Sequence, residues 1–345
     1  MLRSVLSYVV GCGVLVALAF PAFAAEEGEP SKAEAPEASD ASSVAAEPEE
    51  DALELRLRVG LSAAFAQSAG VVGQQDGLGV TFGTSVAGHI RWHKAAHDWK
   101  TSMSYAVAFA YTSVIGELVK TADRLQVDSM YTWKGLSWVG PFVGLTLETP
   151  FFSGDDVRAE PVDYEITSLD GSIRVEEASK RLRLTAPFEP LQLKEAVGVS
   201  FIPVTLPEFG VTFNAGAAAT QVFAEDALSV SDKKETAVVE VSEIDSYIAL
   251  GQTSRLEVHG LLADDWISYR VHGELFVPFV DSSPKTEDLS IEERMNVSVG
   301  AKFSFRVAAW ASVDYELRAL LQPQIQEDWQ IQNVVMLTFG YDLLK

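Results

Sequence analysis

The chain has 345 residues, one cysteine and a formal net charge of −23, with 48% hydrophobic residues. An acidic balance of 49 Asp and Glu against 26 Lys and Arg lacks the basic footprint that nucleic-acid binding requires, and a lone cysteine excludes a disulfide framework. After the N-terminal segment no run of about 18 apolar residues occurs, which excludes a transmembrane helix and leaves strands as the way to cross a membrane.

The N-terminus reads as a secretory signal. Met1-Leu2-Arg3-Ser4 is a short basic start, an apolar stretch runs from Val5 to Phe20, and Ala22-Phe23-Ala24 fits a small-residue cleavage site. A lipid-attachment box ending at Cys12 is the weaker reading, because the apolar run continues past that cysteine. Cleavage after Ala24 removes the only thiol. Residues 25–51 carry ten acids and one lysine in an Ala/Glu/Pro/Ser tract. Such a composition cannot bury a core, so it reads as a disordered periplasmic tail.

From residue 52 onward the chain carries a net charge of −15 and alternates apolar and polar residues in about a dozen segments. The expected strands are 53–66, 78–92, 98–112, 122–133, 137–149, 196–202, 210–223, 243–260, 265–280, 291–307, 311–320 and 329–343. Parity is cleanest at both ends. Leu53, Leu55, Leu57, Val59 and Leu61 oppose Glu54, Arg56, Arg58, Gly60 and Ser62. Val297, Val299, Phe303 and Phe305 oppose Ser298, Lys302, Ser304 and Arg306. A period of two puts each set on one face. Residues 138–149 and 246–259 mix their faces and are assigned by position.

The links alternate in length. Those at 67–77, 113–121, 150–195, 224–242, 281–290 and 321–328 are long and polar; those at 93–97, 134–136, 203–209, 261–264 and 308–310 are short. Tight periplasmic turns, long external loops and strands of about ten alternating residues are the pattern of an outer-membrane β-barrel. The expected fold is therefore all-β: a closed antiparallel transmembrane barrel of twelve strands over 52–345, or fourteen if the 150–195 link contributes two. Asp170-Gly171 inside that link signals a hairpin, and charges on both of its parities favour a hairpin outside lipid. A soluble barrel or paired sandwich is the competing architecture.

The tryptophans sharpen the choice. Trp92 and Trp99 flank the first short link, Trp133 and Trp138 the second; Trp266 follows the fourth and Trp310 lies in the fifth. Only Trp329 sits by a long link. Tryptophans gathered at one end are expected of an aromatic girdle at one membrane interface.

The stretches HDWKTSMSYAVAFAYTS, KTADRLQVDSMYTWK, WVGPFVGLTLETPFFSG and WQIQNVVMLTFGYDLL follow one another as in bacterial outer-membrane β-barrels of an uncharacterised family, which the chain resembles over most of 55–343. The resemblance implies an outer-membrane location in a Gram-negative-type bacterium, and implies no activity. Thr338-Phe339-Gly340-Tyr341-Asp342-Leu343 resembles the C-terminal signal read by the barrel assembly machinery, with Lys345 where a final aromatic is usual.

The inward parity supplies the chemistry. Arg56, Arg58, Arg91, Arg270, His272, Glu274, Lys302, Arg306, Asp314, Glu316 and Arg318 are the candidate lumen charges. Lys302 and Arg306 adjoin Asp314, Glu316 and Arg318 on the next strand, where opposite charges form cross-strand pairs. They form either a constriction selecting small solutes or an ion-pair network filling the lumen. The expected function is non-enzymatic: a passive or narrow channel, or a structural envelope barrel. A soluble β-rich binding protein of the periplasm or cell surface is one alternative, and an enzyme acting on envelope lipid is another, with His259, His272 and Glu274 as base and orienting acid. No nucleophile-elbow motif supports it. His93 and His97 have helix-type metal spacing but fall in a turn. Asp155-Asp156 and Asp264-Asp265 read as solvated loop acids rather than Ca²⁺ ligands. No cofactor motif is present.

Overall fold

The computed structural model describes residues 52–68, 77–112, 115–136, 138–230, 236–286 and 288–344. The expected signal (1–24) and acidic tail (25–51) lie outside the described residues.

Among the described residues sixteen strands form two sheets. The first five are β1 (Ala52–Ser68), β2 (Gly77–Lys94), β3 (His97–Thr112), β4 (Leu118–Trp133) and β5 (Val139–Thr149). Next come β6 (Gly154–Thr167), β7 (Ile173–Thr185), β8 (Leu191–Thr205), β9 (Gly210–Phe223), β10 (Leu228–Val230) and β11 (Val239–Glu243). The chain closes with β12 (Tyr247–Leu262), β13 (Ile267–Asp281), β14 (Asn296–Ala308), β15 (Ala311–Gln322) and β16 (Gln326–Leu344).

Twelve of them close a barrel in the order β1-β16-β15-β14-β13-β12-β9-β8-β5-β4-β3-β2. Every neighbouring pair is antiparallel, and β1 meets β16 from Leu57↔Leu344 to Ala63↔Leu337. Closure leaves no strand edge, which is what lets a sheet sit in lipid with all backbone groups paired. The count is twelve, because β6, β7, β10 and β11 leave the barrel.

Those four form a second sheet in the order β10-β11-β6-β7, on the long-loop side. The β6–β7 hairpin turns at Asp170-Gly171, where Gly171 takes φ +79° and Ser172 N–H donates to Asp170 Oδ1 at 2.9 Å. It stands apart from the barrel wall. The addition of β10 and β11 from the 224–242 link was not expected; β11 runs parallel to β6, Val239↔Tyr164 through Ser242↔Thr167. Tyr164, Ile166, Leu182, Val239 and Val241 are buried between these strands.

One link length needs correcting. The expected long link 321–328 is a tight turn of 323–325, closed by Ile325 N–H to Gln322 O at 2.9 Å, with Gln322 facing Gln326. Pro323 and the run of polar residues read as loop. Instead Gln324 turns into the barrel mouth, fully buried, and donates to Asp281 Oδ2 (2.9 Å) and Arg294 O (3.1 Å).

The exterior is apolar. Leu61, Phe82, Trp99, Val143, Val197, Ile248, Phe279, Val307 and Val335 are all exposed, and every barrel strand except β15 shows such residues. That much exposed apolar surface is untenable in water and natural in a bilayer. This is a transmembrane β-barrel of the outer membrane.

Candidate functional site

The lumen is built by the opposite parity. On one wall, β1 to β3, the small inward residues Gly60, Ser62, Gly83, Ser85, Ser104 and Ala106 border a cavity of about 1210 Å³. The glycines interlock with serines of the next strand; a Cβ on Gly60 would lie 2.7 Å from Ser85 Oγ, and one on Gly83 2.5 Å from Ser62 Oγ. A second cavity of about 320 Å³ lies toward the β12–β15 wall, bordered by Lys194, Arg255, Glu274, Phe276 and Gln322.

Between them stands an ion pair that crosses the barrel. Glu148 on β5 accepts from Arg124 Nη2 of neighbouring β4 at 2.7 Å and from Arg318 Nη2 of β15 at 3.1 Å. β5 and β15 lie on opposite sides of the twelve-strand ring. Strands about 4.8 Å apart and tilted about 40° would enclose a circular section about 24 Å across. An arginine and a glutamate cannot jointly span that width, so the section is flattened here. A second network adjoins it: Lys194 of β8 pairs with Glu274 of β13, and Arg255 Nη1 lies 3.6 Å from Glu274 Oε2. Arg255 Nη2 reaches Glu257 Oε2 at 3.3 Å, and Arg270 Nε lies 3.6 Å from Glu257 Oε1.

Arg58, Arg270, His272, Glu274, Lys302, Asp314, Glu316 and Arg318 border one or both cavities. Arg56 lies 3.8 Å from Glu54, and Arg91 pairs with Asp98 at 3.1 Å. Arg306 shares the parity of Lys302 at the short-turn end, where its backbone N–H donates to Trp266 O at 2.7 Å. Across β14–β15 Lys302 faces Glu316 and Ser304 faces Asp314. The ion pairs differ: Arg318 reaches across the lumen instead of along the sheet. Asp314 is 6% exposed with Oδ1 unbonded.

Glu148, Arg124 and Lys194 escaped the sequence reading. Phe142, Gly140 and Gly144 share the inward parity of Glu148 and blur it. Lys194 fell inside the assumed 150–195 loop, although Leu191, Leu193 and Val197 already alternate with Gln192, Lys194 and Ala196.

The six tryptophans expected to form a girdle stand at the short-turn end. Trp92 faces Trp99 across β2–β3. Trp99 Nε1 donates to Ser129 Oγ at 3.0 Å, Trp138 packs on Phe201 with ring centres 6.4 Å apart, and Trp310 stacks on Phe339 at 5.8 Å. Trp99, Trp133, Trp138, Trp266 and Trp310 are exposed. A second aromatic group lies at the long-loop rim. Asp123 on β4 accepts the N–H groups of Phe151 (3.0 Å) and Phe152 (2.7 Å), pinning 150–152 where Phe151 meets Tyr105 and Phe188.

The residues weighed for enzymatic or metal chemistry are dispersed. His259 Nδ1 lies 3.6 Å from Glu257 Oε1 and makes no hydrogen bond, so the pair has no serine joined to it at that atom. His97 Nδ1 and Tyr131 Oη share a hydrogen bond of 2.5 Å. Among the described residues no group of three or more His, Cys, Asp or Glu forms a metal-holding set. Asp155 and Asp156 lie in strand β6 rather than in a loop: Arg181 Nη1 donates to Asp155 Oδ2 (2.8 Å) and Arg158 Nε to Asp156 Oδ2 (2.6 Å).

No family model matches the sequence, and none of the curated proteins does. Solved structures similar to the chain include the translocator domain of autotransporter NalP from Neisseria meningitidis, at 7% identity and TM-score 0.36 over 85% of this chain and 90% of that one. An outer membrane channel from Pseudomonas putida F1 is 10% identical with TM-score 0.37, covering 86% and 99%. The NanC porin is 10% identical with TM-score 0.38, covering 84% and 99%.

Proposed function

We propose that the protein is a narrow, non-enzymatic channel for small polar solutes, delivered to the outer membrane by the barrel assembly machinery. The observation that carries this reading is the Arg318–Glu148 bridge, which divides the lumen without filling it. A cavity of about 1210 Å³ remains beside it, along the small-residue wall. A crossing pair of charges sets a low conductance and discriminates by charge. Lipid contacts the exposed apolar face, with the six tryptophans as its periplasmic interface girdle.

A structural barrel with a closed lumen is the second reading. It is favoured by the buried cluster under the long-loop mouth, where Tyr247, Phe276 and Val222 pack together and Gln322 Nε2 donates to Tyr247 Oη at 2.6 Å.

Single-channel recording of the mature protein in a planar bilayer separates the two. The channel reading expects small steady currents, raised severalfold by Arg318→Ala, which removes the crossing side chain. Stable insertion with no current in either protein rejects it in favour of the closed barrel.

A further inference from the structure

One stretch of the lipid face is covered by the chain itself. On β3 the outward parity carries Met103, Phe109 and Tyr111, all exposed, yet Val107 among them is only 9% exposed. Its register partner on β4 is Asp123, and Lys120 faces Phe109. Two charged residues therefore stand on the parity that meets lipid. Both are shielded, and Lys120 Nζ lies 2.7 Å from Asp123 Oδ2. The cover is the segment 150–152, which turns back over the outer face after β5. Asp123 accepts the N–H groups of Phe151 and Phe152, and Lys120 Nζ donates to Phe152 O at 2.9 Å. These bonds complete the partners of an ion pair that lipid cannot solvate.

Three phenylalanines cap the segment. Phe151 packs edge-on against Tyr105 (ring centres 5.6 Å apart), Phe152 (5.1 Å) and Phe188 (4.9 Å). Phe188 arrives from the link after β7. Its N–H is bound to Pro150 O at 3.1 Å, and its φ is +63°, uncommon for a bulky residue. Phe151, Phe152 and Phe188 remain 41%, 48% and 48% exposed. Packing on one another thus leaves their outer sides for a further apolar partner. The same face carries exposed Met103, Phe109, Val143 and Leu145, so the patch continues the apolar belt that lipid covers.

The height agrees. A strand rising about 3.4 Å per residue at a tilt of about 40° climbs roughly 2.6 Å per residue. Measured from Trp99 at the short-turn end, Tyr105 stands roughly 16 Å up and Val107 roughly 21 Å up, within an apolar band about 25 Å tall. The rings that meet Tyr105 are therefore at the depth of the leaflet on the long-loop side. Phe151 and Phe152 precede β6 and Phe188 follows β7, so the rings mark both roots of the β6–β7 hairpin. Arg181 of that hairpin also donates to Glu117 Oε2, beside the start of β4, at 3.2 Å.

We propose that Phe151, Phe152 and Phe188 insert into the hydrocarbon of the outer leaflet and dock the second sheet on the outer surface of the membrane. The partner is the acyl chains of that leaflet. The sheet itself stays in water, and only its roots enter lipid. The proposal is independent of whether the lumen conducts.

Spin-label depth measurement tests it, on the full chain carrying Cys12→Ser, which removes the only native thiol. The protein is folded into dimyristoylphosphatidylcholine vesicles, and folding of each variant is checked by heat-modifiable gel migration. Labels at Phe152→Cys and, separately, Phe188→Cys should be reached by oxygen in preference to a water-soluble nickel chelate, as at the lipid-facing control Val143→Cys. A label at Lys180→Cys, exposed on β7, should show the reverse preference. If one of the two phenylalanine variants does not fold, the other carries the test. Preference for the chelate at either phenylalanine site overturns insertion. Docking has its own readout. Phe151→Ser/Phe152→Ser should raise the rate of proteolysis at the β6–β7 hairpin severalfold in vesicles, while the barrel keeps its heat-modifiable migration. An unchanged rate overturns docking of the sheet, even where the labels report lipid.

Discussion

The barrel and the four-stranded sheet beside its long-loop rim obey the same period of two and sort their residues in opposite directions. In β14 the apolar residues Val299, Phe305 and Val307 are exposed, while Lys302 borders the lumen. In β6 the apolar residues Tyr164 and Ile166 are buried against Leu182 and Val241, and Glu160 and Asp163 are exposed. The alternation is a property of the strand; the side that receives the apolar set is decided by the solvent. Lipid accepts Val299, whereas water expels Ile166. One chain therefore contains an inside-out sheet and an ordinary one, and the comparison can be broken at either.

The largest effect is expected on the lipid face. Val299 pairs with Gly273 near the middle of β13. Val299→Arg should cost the barrel about 2–4 kcal/mol near the bilayer midplane, enough to abolish heat-resistant folded protein in membrane fractions. Arg306→Ala, on the inward parity of the same strand, should stay within about 0.5 kcal/mol of wild type. Equal loss at both positions would mean that the parity has been assigned to the wrong face.

A smaller, local effect is expected in the second sheet. Ile166 is 1% exposed and packs in the cluster with Tyr164 and Val241. Ile166→Val should cost about 0.5–1.5 kcal/mol. Limited proteolysis between β6 and β11 should accelerate while the barrel keeps its heat-modifiable migration. Loss of both together would show that the sheet and the barrel fold as one cooperative unit.

Much of this comparison was legible because a clean period of two survives wherever one face is uniformly apolar, as in β1, β3 and β14. It was blurred where the lumen face is itself packed: β12 places Tyr247, Ala249 and Gly251 inward, and β5 places Phe142 there. A lumen has no obligation to be polar at each position, so hydropathy alone loses the parity. β10 and β11 were invisible for another reason. They are short, and β11 finds its parallel partner β6 far back in the chain, so no local turn signal marks the pairing. The Arg318–Glu148 bridge lay beyond reach for the same cause. Register arguments propose neighbours along the sheet, and this pair meets across the ring. The six tryptophans were readable because a short turn fixes which end of a strand each occupies.

The smallest expected effect vanishes at neutral pH and separates the two sheets by titration. Tyr164 is fully buried in the second sheet, and its hydroxyl donates to Asp156 Oδ2 at 2.9 Å. Burial, with the neighbouring carboxylate adding to it, pushes its phenol up to about 12. An unfolded tyrosine ionises near about 10. The folded sheet thus holds its proton more tightly than the unfolded chain does. The stability this contributes is fully present below about pH 10 and is lost as pH rises toward about 12. Tyr164→Phe removes the titrating group while keeping the ring in the core. Between these pH values, proteolysis at the β6–β7 hairpin should accelerate more in wild type than in Tyr164→Phe. Parallel acceleration in both proteins would mean that ionisation elsewhere opens the sheet and that the Tyr164–Asp156 contact does not hold it.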